Sequence, residues 1–344
     1  MGSITLHEVA RAAGVSIKTV SRVLNNEPYV REEKRRRVQE AIERLNYRPN
    51  LAARTLSGTK SYLLGFLAPT GGRLYVDTQL RGVFTTCQKA GYHLVVDFYD
   101  AFASDLAEKV RALCTHTPLD GVVLGPGLCD SPAVIALLNE LDIAHVGISP
   151  REPLNCDYVY MDDVQAAHDM TCHLLALGHR DIAFIGHRRG WPFTERRLQG
   201  FRLAMSYAGI TVRPELILDG ATFTFRTGQE CADALLALHR RPTAIFAVND
   251  EMAIGAMAAA SRQGLSIPRD LSVAGFDDSP VAMMTWPQLT TVRQPIEAMA
   301  AAAAEHLLRR PRESDATPTS ILLPFEIVVR ESTAKPAGSG GSAS

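Results

Sequence analysis

Residues 5–24 read TLHEVARAAGVSIKTVSRVL, and this stretch decides the fold of the amino-terminal part of the chain. Thr5 and Glu8 form a capping-box pattern that predicts the start of a helix, and Gly14 predicts its end. Ser16 is a suitable N-cap for a second helix, in which apolar residues recur at helical spacing. Two short helices joined by a tight turn predict a helix-turn-helix, the unit that places its second helix in the major groove of DNA.

A third helix is predicted from about Arg31 to Leu45, with an apolar stripe on one side and three consecutive arginines, residues 35–37, on the surface. Arg31 occupies the N-cap position, where a small polar residue is common, so we expect this helix to start irregularly. The three helices together make a compact head over residues 1–46.

Residues 47–60 are predicted to form a hinge that follows the head. Asn50 could cap a short helix that Gly58 ends. Isolated helices under about 12 to 15 residues are marginal in water, so the hinge is expected to become ordered on binding.

The charge of the chain is unevenly distributed. Residues 1–60 contain 12 Lys or Arg and 6 Asp or Glu, a net charge of +6, whereas the remaining residues contain 24 and 31, a net charge of −7. A basic head joined to an acidic body indicates that the head binds a polyanion and that the body has a different function. Nucleic acid is the first partner that this asymmetry suggests.

From Tyr62 onward, short apolar runs such as 63–67 and 244–248 alternate with helix-length segments. This alternation predicts an α/β body of parallel sheets with right-handed crossovers. The number of units suits two doubly wound lobes, with a ligand between the carboxyl ends of their strands. The body is predicted over residues 61–333, with one lobe at 61–160 and 292–320, the other at 161–291 and 321–333, and a disordered or artificial tail at 334–344.

Composition excludes several other classes of protein. Hydrophobic residues at 46% and charged residues at 21% are ordinary globular values. No stretch approaches the roughly 20 apolar residues that span a bilayer, and the amino terminus lacks an export signal. We therefore expect a cytoplasmic protein without a membrane partner. Six widely spaced cysteines with no C-x-x-C favour reduced core thiols over zinc or disulfides.

The usual signatures of an enzyme are missing from the sequence. Gly125-Pro126-Gly127 lacks the third glycine of a dinucleotide-binding turn, and no phosphate-binding loop or nucleophile elbow is found. His7-Glu8 is not followed by the second histidine of a zinc-binding helix. We therefore predict no catalytic residue, no metal and no cofactor.

Longer motifs carry a resemblance to a known family. They are residues 5–25, Leu45-Asn46-Tyr47-Arg48-Pro49-Asn50, Ala53-Arg54-Thr55-Leu56, Leu177-Gly178-His179, Asn249-Asp250, Gly275-Phe276-Asp277-Asp278 and Leu289 to Pro295. With these motifs the chain resembles the LacI/GalR family of bacterial transcriptional repressors over nearly its whole length. The resemblance implies a two-lobed body similar to periplasmic binding proteins, joined to the helix-turn-helix head by a hinge helix.

The resemblance also implies that the second helix enters the major groove, where Ile17, Lys18 and Arg22 reach base edges. Lysine and arginine favour guanine, whereas isoleucine suits a thymine methyl group. Leu56 is expected to wedge the minor groove and kink the DNA. Its alternative role is packing between head and body. The residues predicted to contact DNA are Ser16, Ile17, Lys18, Thr19, Ser21, Arg22, Asn25, Tyr47, Asn50, Ala53, Arg54 and Leu56.

In the body, residues carried over by position would line a cleft for a carbohydrate. Arginine and aspartate can each grip adjacent hydroxyl groups in planar geometry, and an aromatic ring can stack on a sugar. The alternative is that Asp277 caps a loop and Arg197 pairs with it structurally. The residues predicted to contact the effector are Tyr75, Trp191, Phe193, Arg197, Phe223, Asn249, Asp277 and Gln294.

The chain departs from the family pattern in two places. Residues 71–76 read GGRLYV in place of an Asn-Pro-Phe-Phe-like segment, and Tyr75 is the effector contact predicted in this segment. An Asp-Asn pair followed by paired glycines appears here as Asp162-Asp163 followed by Ala166-Ala167.

The sequence leads to the hypothesis of a repressor that binds palindromic double-stranded operator DNA as a homodimer until a sugar or sugar derivative binds between its lobes. No heptad-bearing helix follows Arg330, so four chains joined by a C-terminal coiled coil are not expected. Two alternatives remain open at this point: a solute-binding protein of a transport system, and a sugar-active enzyme with an added DNA-binding head.

Overall fold

The structure is a computed structural model that describes residues 4–24, 29–47, 60–151, 156–187, 190–309 and 318–337. The chain divides into two compact units, residues 1–62 and residues 63–344. Each unit has its own hydrophobic core, as the change of pattern near residue 60 predicts.

The head consists of three helices, α1 Leu6–Ala13, α2 Ile17–Leu24 and α3 Glu32–Arg44. The predicted capping box is present: the Glu8 amide donates to Thr5 Oγ1 at 3.4 Å, and the Thr5 amide donates to Glu8 Oε2 at 2.7 Å. Gly14 ends α1 in the left-handed conformation, at φ +61°. Arg31 precedes α3 without a side-chain cap, as expected.

The core of the head is built from the apolar faces of its three helices. Its buried residues are Val9, Ala10, Ala13, Val20, Val23, Val38, Ala41 and Tyr47. Arg37 of α3 donates from Nη2 to the carbonyl of Gly14 at 3.3 Å, so the third helix also secures the turn of the helix-turn-helix. This packing holds α2 in place and leaves its other face exposed.

The first sheet of the body is parallel and six-stranded, in the order β11-β5-β4-β3-β1-β2. Its strands are β1 Leu63–Pro69, β2 His93–Tyr99, β3 Gly121–Leu124, β4 His145–Ile148, β5 Asp157–Tyr160 and β11 Ser320–Leu322. The helices connected to these strands are α4 Arg73–Ala90, α5 Leu106–His116, α6 Pro132–Glu140 and α11 Ile296–Arg309.

The second sheet is parallel and four-stranded, in the order β7-β6-β8-β9. Its strands are β6 Ile182–His187, β7 Ile217–Gly220, β8 Ala244–Ala247 and β9 Ser272–Ala274, and its helices are α7 Asp163–Ala176, α8 Pro192–Tyr207, α9 Phe225–Leu236 and α10 Asp250–Arg262. A small antiparallel pair joins β10 Thr291–Arg293 to β12 Glu326–Val328. The predicted α/β class with two parallel lobes is confirmed.

The strand β5 is an element that the sequence did not indicate. Its residues alternate between buried and half-buried positions and include an aspartate and two tyrosines, so it lacks the continuous apolar run of the other parallel strands. In both sheets the direction of the strand order reverses beside the first strand of the lobe, β1 in one sheet and β6 in the other. Ligands of open α/β sheets bind in the crevice at this point of reversal. Throughout the described ranges, no helix has the length and apolar content needed to cross a bilayer.

Candidate functional site

The exposed face of α2 carries the residues that were predicted to read DNA bases. Ile17 is 39% exposed although it is apolar, and Lys18 and Arg22 are exposed beside it. Ser16 and Thr19 hydrogen-bond each other through their hydroxyl groups at 2.9 Å, and the Thr19 amide donates to Ser16 Oγ. The Ser16 hydroxyl group therefore caps the helix, while the half-buried Ser21 lies further along it.

The position of the Tyr47 side chain differs from the exposed position that a phosphate contact would need. Its side chain is 5% exposed and packs in the core of the head, and burial raises its pKa. The structure therefore gives Tyr47 a packing role. The other predicted DNA contacts, Asn25, Asn50, Ala53, Arg54 and Leu56, lie outside the described residues.

In the body, a cavity opens at the carboxyl ends of the strands of both sheets. It encloses about 530 Å³ of free space, counting the part that is open to solvent. Its lining residues are Pro69, Gly71, Gly72, Tyr75, Pro126, Ser149, Asp163, Trp191, Phe193, Arg197, Phe223, Asn249 and Asp277. Seven of the eight predicted effector residues are in this lining.

Arg197 forms the polar centre of the cavity. Its side chain is 4% exposed, and its Nε donates to Asp163 Oδ1 at 2.9 Å. Nη1 donates to the carbonyl of Val248 at 2.7 Å and lies 3.8 Å from Asp277 Oδ1. The guanidinium group also lies 3.6 Å from the ring centre of Phe276, a cation–π contact. Arg197 is thus held in one orientation between two carboxylates.

Asp163 is a site residue that the sequence prediction missed. It is 2% exposed, begins α7, and also accepts a hydrogen bond from Arg196 Nη2 at 2.8 Å on its second carboxylate oxygen. The sequence offered one signal, because Asp163 lies within the Asp162-Asp163 segment that departs from the family pattern. Its pairing with Arg197, 34 positions away, is visible only in the fold.

Asp277 has an unusual backbone conformation for its residue type. Its φ of +123° is rarely adopted by residues other than glycine, and such conformations concentrate at ligand sites. Burial raises the pKa of Asp277 well above its ordinary value, although the positive charge of Arg197 opposes the rise. The surrounding structure therefore holds this carboxyl group in the cavity against both backbone strain and desolvation.

Gln294 does not line the cavity with the other predicted residues. Its Nε2 donates to Asp277 Oδ1 at 2.6 Å, and its side chain faces a neighbouring groove that Tyr75 and Asp277 also line. Gln294 adjoins the cavity through this hydrogen bond to Asp277, and its predicted contact with an effector stays a prediction.

Asn249 combines a structural role with its place in the cavity lining. Its Oδ1 accepts from the Met252 amide at 2.9 Å and so caps α10, and its Nδ2 donates to the carbonyl of Phe223 at 3.0 Å. These bonds fix the amide orientation. They also leave one N–H and one lone pair of the side chain for a ligand.

The other wall of the cavity is aromatic. Phe193 and Phe223 lie 5.2 Å apart between ring centres, and Trp191 contacts both. Phe102, which no sequence motif indicated, packs edge to face on Trp191 at 5.1 Å. Tyr75 closes the side toward the first sheet, where burial raises the pKa of its hydroxyl group. An apolar ring face would fit this wall.

The described part of the chain contains no group of three or more potential metal ligands. The six cysteines are free thiols, of which Cys87, Cys129, Cys156 and Cys231 are buried.

Comparison with known proteins agrees with this architecture. Residues 5–50 match the family described as bacterial regulatory proteins, lacI family, and residues 171–333 match the periplasmic binding protein-like domain. The HTH-type transcriptional regulator DegA of Bacillus subtilis is 34% identical, over 96% of this chain and 98% of its own length. Such relatives are named as regulators and not as enzymes, so the enzyme alternative is set aside.

Two solved structures are similar over nearly the full length. The transcriptional regulator CelR in complex with cellobiose is 28% identical, with a TM-score of 0.72 over 96% of this chain and 99% of its own. The lac repressor dimer bound to operator and the anti-inducer ONPF is 25% identical, with a TM-score of 0.81 over 97% and 100%. The chain therefore belongs to the LacI family of bacterial regulatory proteins and is a DNA-binding transcriptional repressor.

Proposed function

We propose that the protein binds a palindromic operator as a homodimer and that a sugar or sugar derivative in the body cavity controls its affinity for this operator. The observation that carries the proposal is the buried Asp163–Arg197–Asp277 arrangement facing an aromatic wall. Planar carboxylate and guanidinium groups can hydrogen-bond adjacent hydroxyl groups, while aromatic rings cover the C–H face of a sugar.

The proposed DNA contacts rest on the exposed face of α2. Lys18 and Arg22 supply donors for guanine edges, and the exposed Ile17 supplies apolar surface for a thymine methyl group. The lac repressor structure, a dimer on its operator, supports the dimer and the operator as partners of this chain. Two copies related by a twofold axis would read a palindrome.

The cellobiose complex of CelR supports a carbohydrate as the ligand class. In the proposed mechanism, the sugar binds between the lobes, favours one arrangement of the lobes, and lowers the affinity for the operator. By linkage, the sugar must bind the DNA-free and DNA-bound states with different affinity, because a ligand with equal affinity for both states shifts nothing. We propose induction as the direction of the effect.

The test is a selection of operator sequences from random DNA, followed by an effector screen. Sugars would be screened by thermal shift, and operator affinity would be measured by fluorescence anisotropy with and without each sugar that stabilises the protein. We expect a palindromic consensus and a sugar that both raises the melting temperature and weakens operator binding. Non-palindromic sites, or a stabilising sugar that leaves operator affinity unchanged, would contradict the proposal.

Asp277→Ala separates the effector site from the DNA site. We expect this variant to bind the operator normally and to lose the response to the sugar, because its carboxyl group lines the cavity. Glu230→Ala is the matched control, since Glu230 is an exposed acid paired with Arg226 on the same turn of α9. An Asp277→Ala variant that responds to the sugar like the Glu230→Ala control would contradict the proposed site.

A further inference from the structure

We infer that His168 and Cys172 form a binding site for a soft monovalent metal ion of the Cu(I) class. Both residues lie on α7, and neither lines the effector cavity. Neither the operator nor the effector is proposed to contact this pair, so the site goes beyond the proposed function. The prediction of no metal site considered C-x-x-C and two-histidine spacings, and His168-x-x-x-Cys172 matches neither.

The distance between the two ligand atoms suits a single metal ion. Residues four positions apart lie on one face of a helix, and Cys172 Sγ lies 3.8 Å from His168 Nε2. A metal with bonds of about 2.3 Å to sulfur and about 2.1 Å to nitrogen holds these two atoms about 3.6 Å apart when its geometry is tetrahedral. The observed distance therefore accommodates one ion, with a bond angle at the metal slightly wider than tetrahedral.

A neighbouring carboxylate determines which nitrogen of His168 is the ligand. Nδ1 also lies 3.8 Å from Cys172 Sγ, but it is engaged by Asp169 Oδ1 at 3.1 Å. The same carboxylate oxygen accepts from Gln165 Nε2 at 2.7 Å, which holds it in place. A carboxylate that accepts from Nδ1–H leaves Nε2 unprotonated, and metal-binding histidines are commonly oriented in this way. Nε2 is therefore the electron-pair donor that shares a metal ion with Sγ.

The pair is restrained by packing and is still open to solvent. The His168 side chain is 24% exposed, and Cys172 is half-buried beside it. Tyr207, near the end of α8, packs against the imidazole ring with its centre 5.9 Å away. An ion can therefore enter from water, and it would replace the proton of the Cys172 thiol, which passes to the solvent.

The number of ligands selects the class of metal. In the part of the chain that the structure describes, no set of three His, Cys, Asp or Glu side chains could hold an ion. Structural zinc sites use four protein ligands and catalytic zinc sites use three, whereas Ca²⁺ and Mg²⁺ require oxygen ligands. Thiolate and imidazole are ligands that Cu(I) accepts, and a soft monovalent ion is satisfied by two of them. A pair formed by one sulfur and one nitrogen therefore favours Cu(I).

Cys114 provides a control for general reactions of thiols. It is the other cysteine that is not buried. The residue four positions before it is the buried Val110, so no histidine shares its helix face at that spacing. Cys114 and Cys172 therefore differ in their neighbours more than in their access to solvent.

The first test is a competition for Cu(I) with the coloured chelator bicinchoninate, without oxygen, on the full chain. We expect Cys172→Ala and His168→Ala to withdraw less Cu(I) from the chelator than the wild type does, and Cys114→Ala to behave like the wild type. Asp169→Asn should weaken the affinity by about 10- to 100-fold, because it disturbs the group that orients the ligand. Wild-type affinity in Cys172→Ala or His168→Ala would overturn the proposal.

The second test uses the wild type alone, so it does not depend on the folding of a variant. The protein would be alkylated with iodoacetamide in the presence of equimolar Cu(I) or Zn²⁺, and the modification of Cys114 and Cys172 would be measured by mass spectrometry. Cu(I) should abolish the alkylation of Cys172 and leave that of Cys114 unchanged, and Zn²⁺ should protect neither. Equal protection of both cysteines would overturn the site, and protection of Cys172 by Zn²⁺ as complete as that by Cu(I) would overturn the class of metal.

Discussion

The exposed face of α2 in the head and the wall of the body cavity use charged side chains in opposite ways. Lys18 and Arg22 are exposed to water, whereas Arg197 is buried between Asp163 and Asp277. Charge that stays in water remains available to a polyanion. Its binding to DNA weakens as the salt concentration rises, because counterions released into concentrated salt gain less entropy. Charge that is buried and paired fixes geometry and selects ligands, and salt screens it much less. The following predictions test this contrast.

The largest effect is expected from removing the partner of the buried arginine. Asp163→Ala would leave the guanidinium of Arg197 buried without its main carboxylate, and breaking such a pair typically costs about 3 to 5 kcal/mol. The free energy of unfolding of the body, measured with urea, should fall by this amount. The matched control is Glu140→Ala, because Glu140 forms an exposed pair with Arg111 at 2.7 Å. Similar losses in both variants would mean that burial does not distinguish the two pairs.

The next prediction concerns pH and a second buried acid. Asp250 is 1% exposed and accepts hydrogen bonds from Ser279 and Thr291, yet burial raises its pKa from 3.8 to about 7. The native state therefore retains a proton that the unfolded chain releases at lower pH. The stability from this proton is complete below pH 3.8 and is lost as the pH rises towards 7, by at most about 1.4 kcal/mol per pH unit.

Asp250→Asn provides the measurement for this pH effect. The unfolding free energies of wild type and variant would be compared from pH 4 to pH 8. As the pH rises, the wild type should lose stability relative to the variant. A difference that stays constant over this range would show that Asp250 does not titrate there. The head should contribute nothing to this difference, because Asp250 lies in the body and the head is identical in both proteins.

Arg22→Ala tests the exposed side of the contrast. Loss of a base-reading arginine should cost about 1 to 3 kcal/mol of operator affinity and relax the preference at one position of the site. Anisotropy with a set of single-base operator variants would measure both effects. Arg36→Ala removes an exposed cation from α3, which pairs with Glu40 on the same helix, and should leave sequence preference intact. A uniform loss across all operator variants for Arg22→Ala would exclude base reading.

The smallest effect is expected at the start of α1. Thr5→Ala removes the side-chain acceptor of the capping box, which typically costs about 1 kcal/mol. Thermal unfolding of the head, followed by circular dichroism, should show a lower melting temperature while the body transition is unchanged. Thr5→Ser retains the hydroxyl group and serves as the control. A Thr5→Ala variant with the stability of the control would show that the cap contributes little.

Local patterns explain why the head was predicted well. The capping box, the turn glycine and the apolar spacing of α1 and α2 depend on neighbours within a few positions, so each can be identified in the printed sequence. The parallel strands of the body were identified for the same reason, as continuous apolar runs. β5 was not predicted, because its residues alternate between buried and half-buried positions and some of them are polar.

The cavity was predicted in part, and by resemblance more than by pattern. The resemblance indicated Arg197, Asn249 and Asp277, which do lie together in the lining. It did not indicate Asp163, and it did not show that Gln294 lies outside the lining and hydrogen-bonds Asp277. Which side chain faces a cavity and which one supports it depends on rotamers and on packing between segments that are far apart in sequence.

The sequence by itself determined the family, the order of helices and strands, and the separation of a basic head from an acidic body, because these follow from local spacing, composition and motifs. Only the tertiary structure decided that Tyr47 packs in a core and that Asp163 pairs with both Arg196 and Arg197. Burial and pairing depend on contacts between distant segments. The free energy of a charge depends on those contacts more than on its neighbours along the chain.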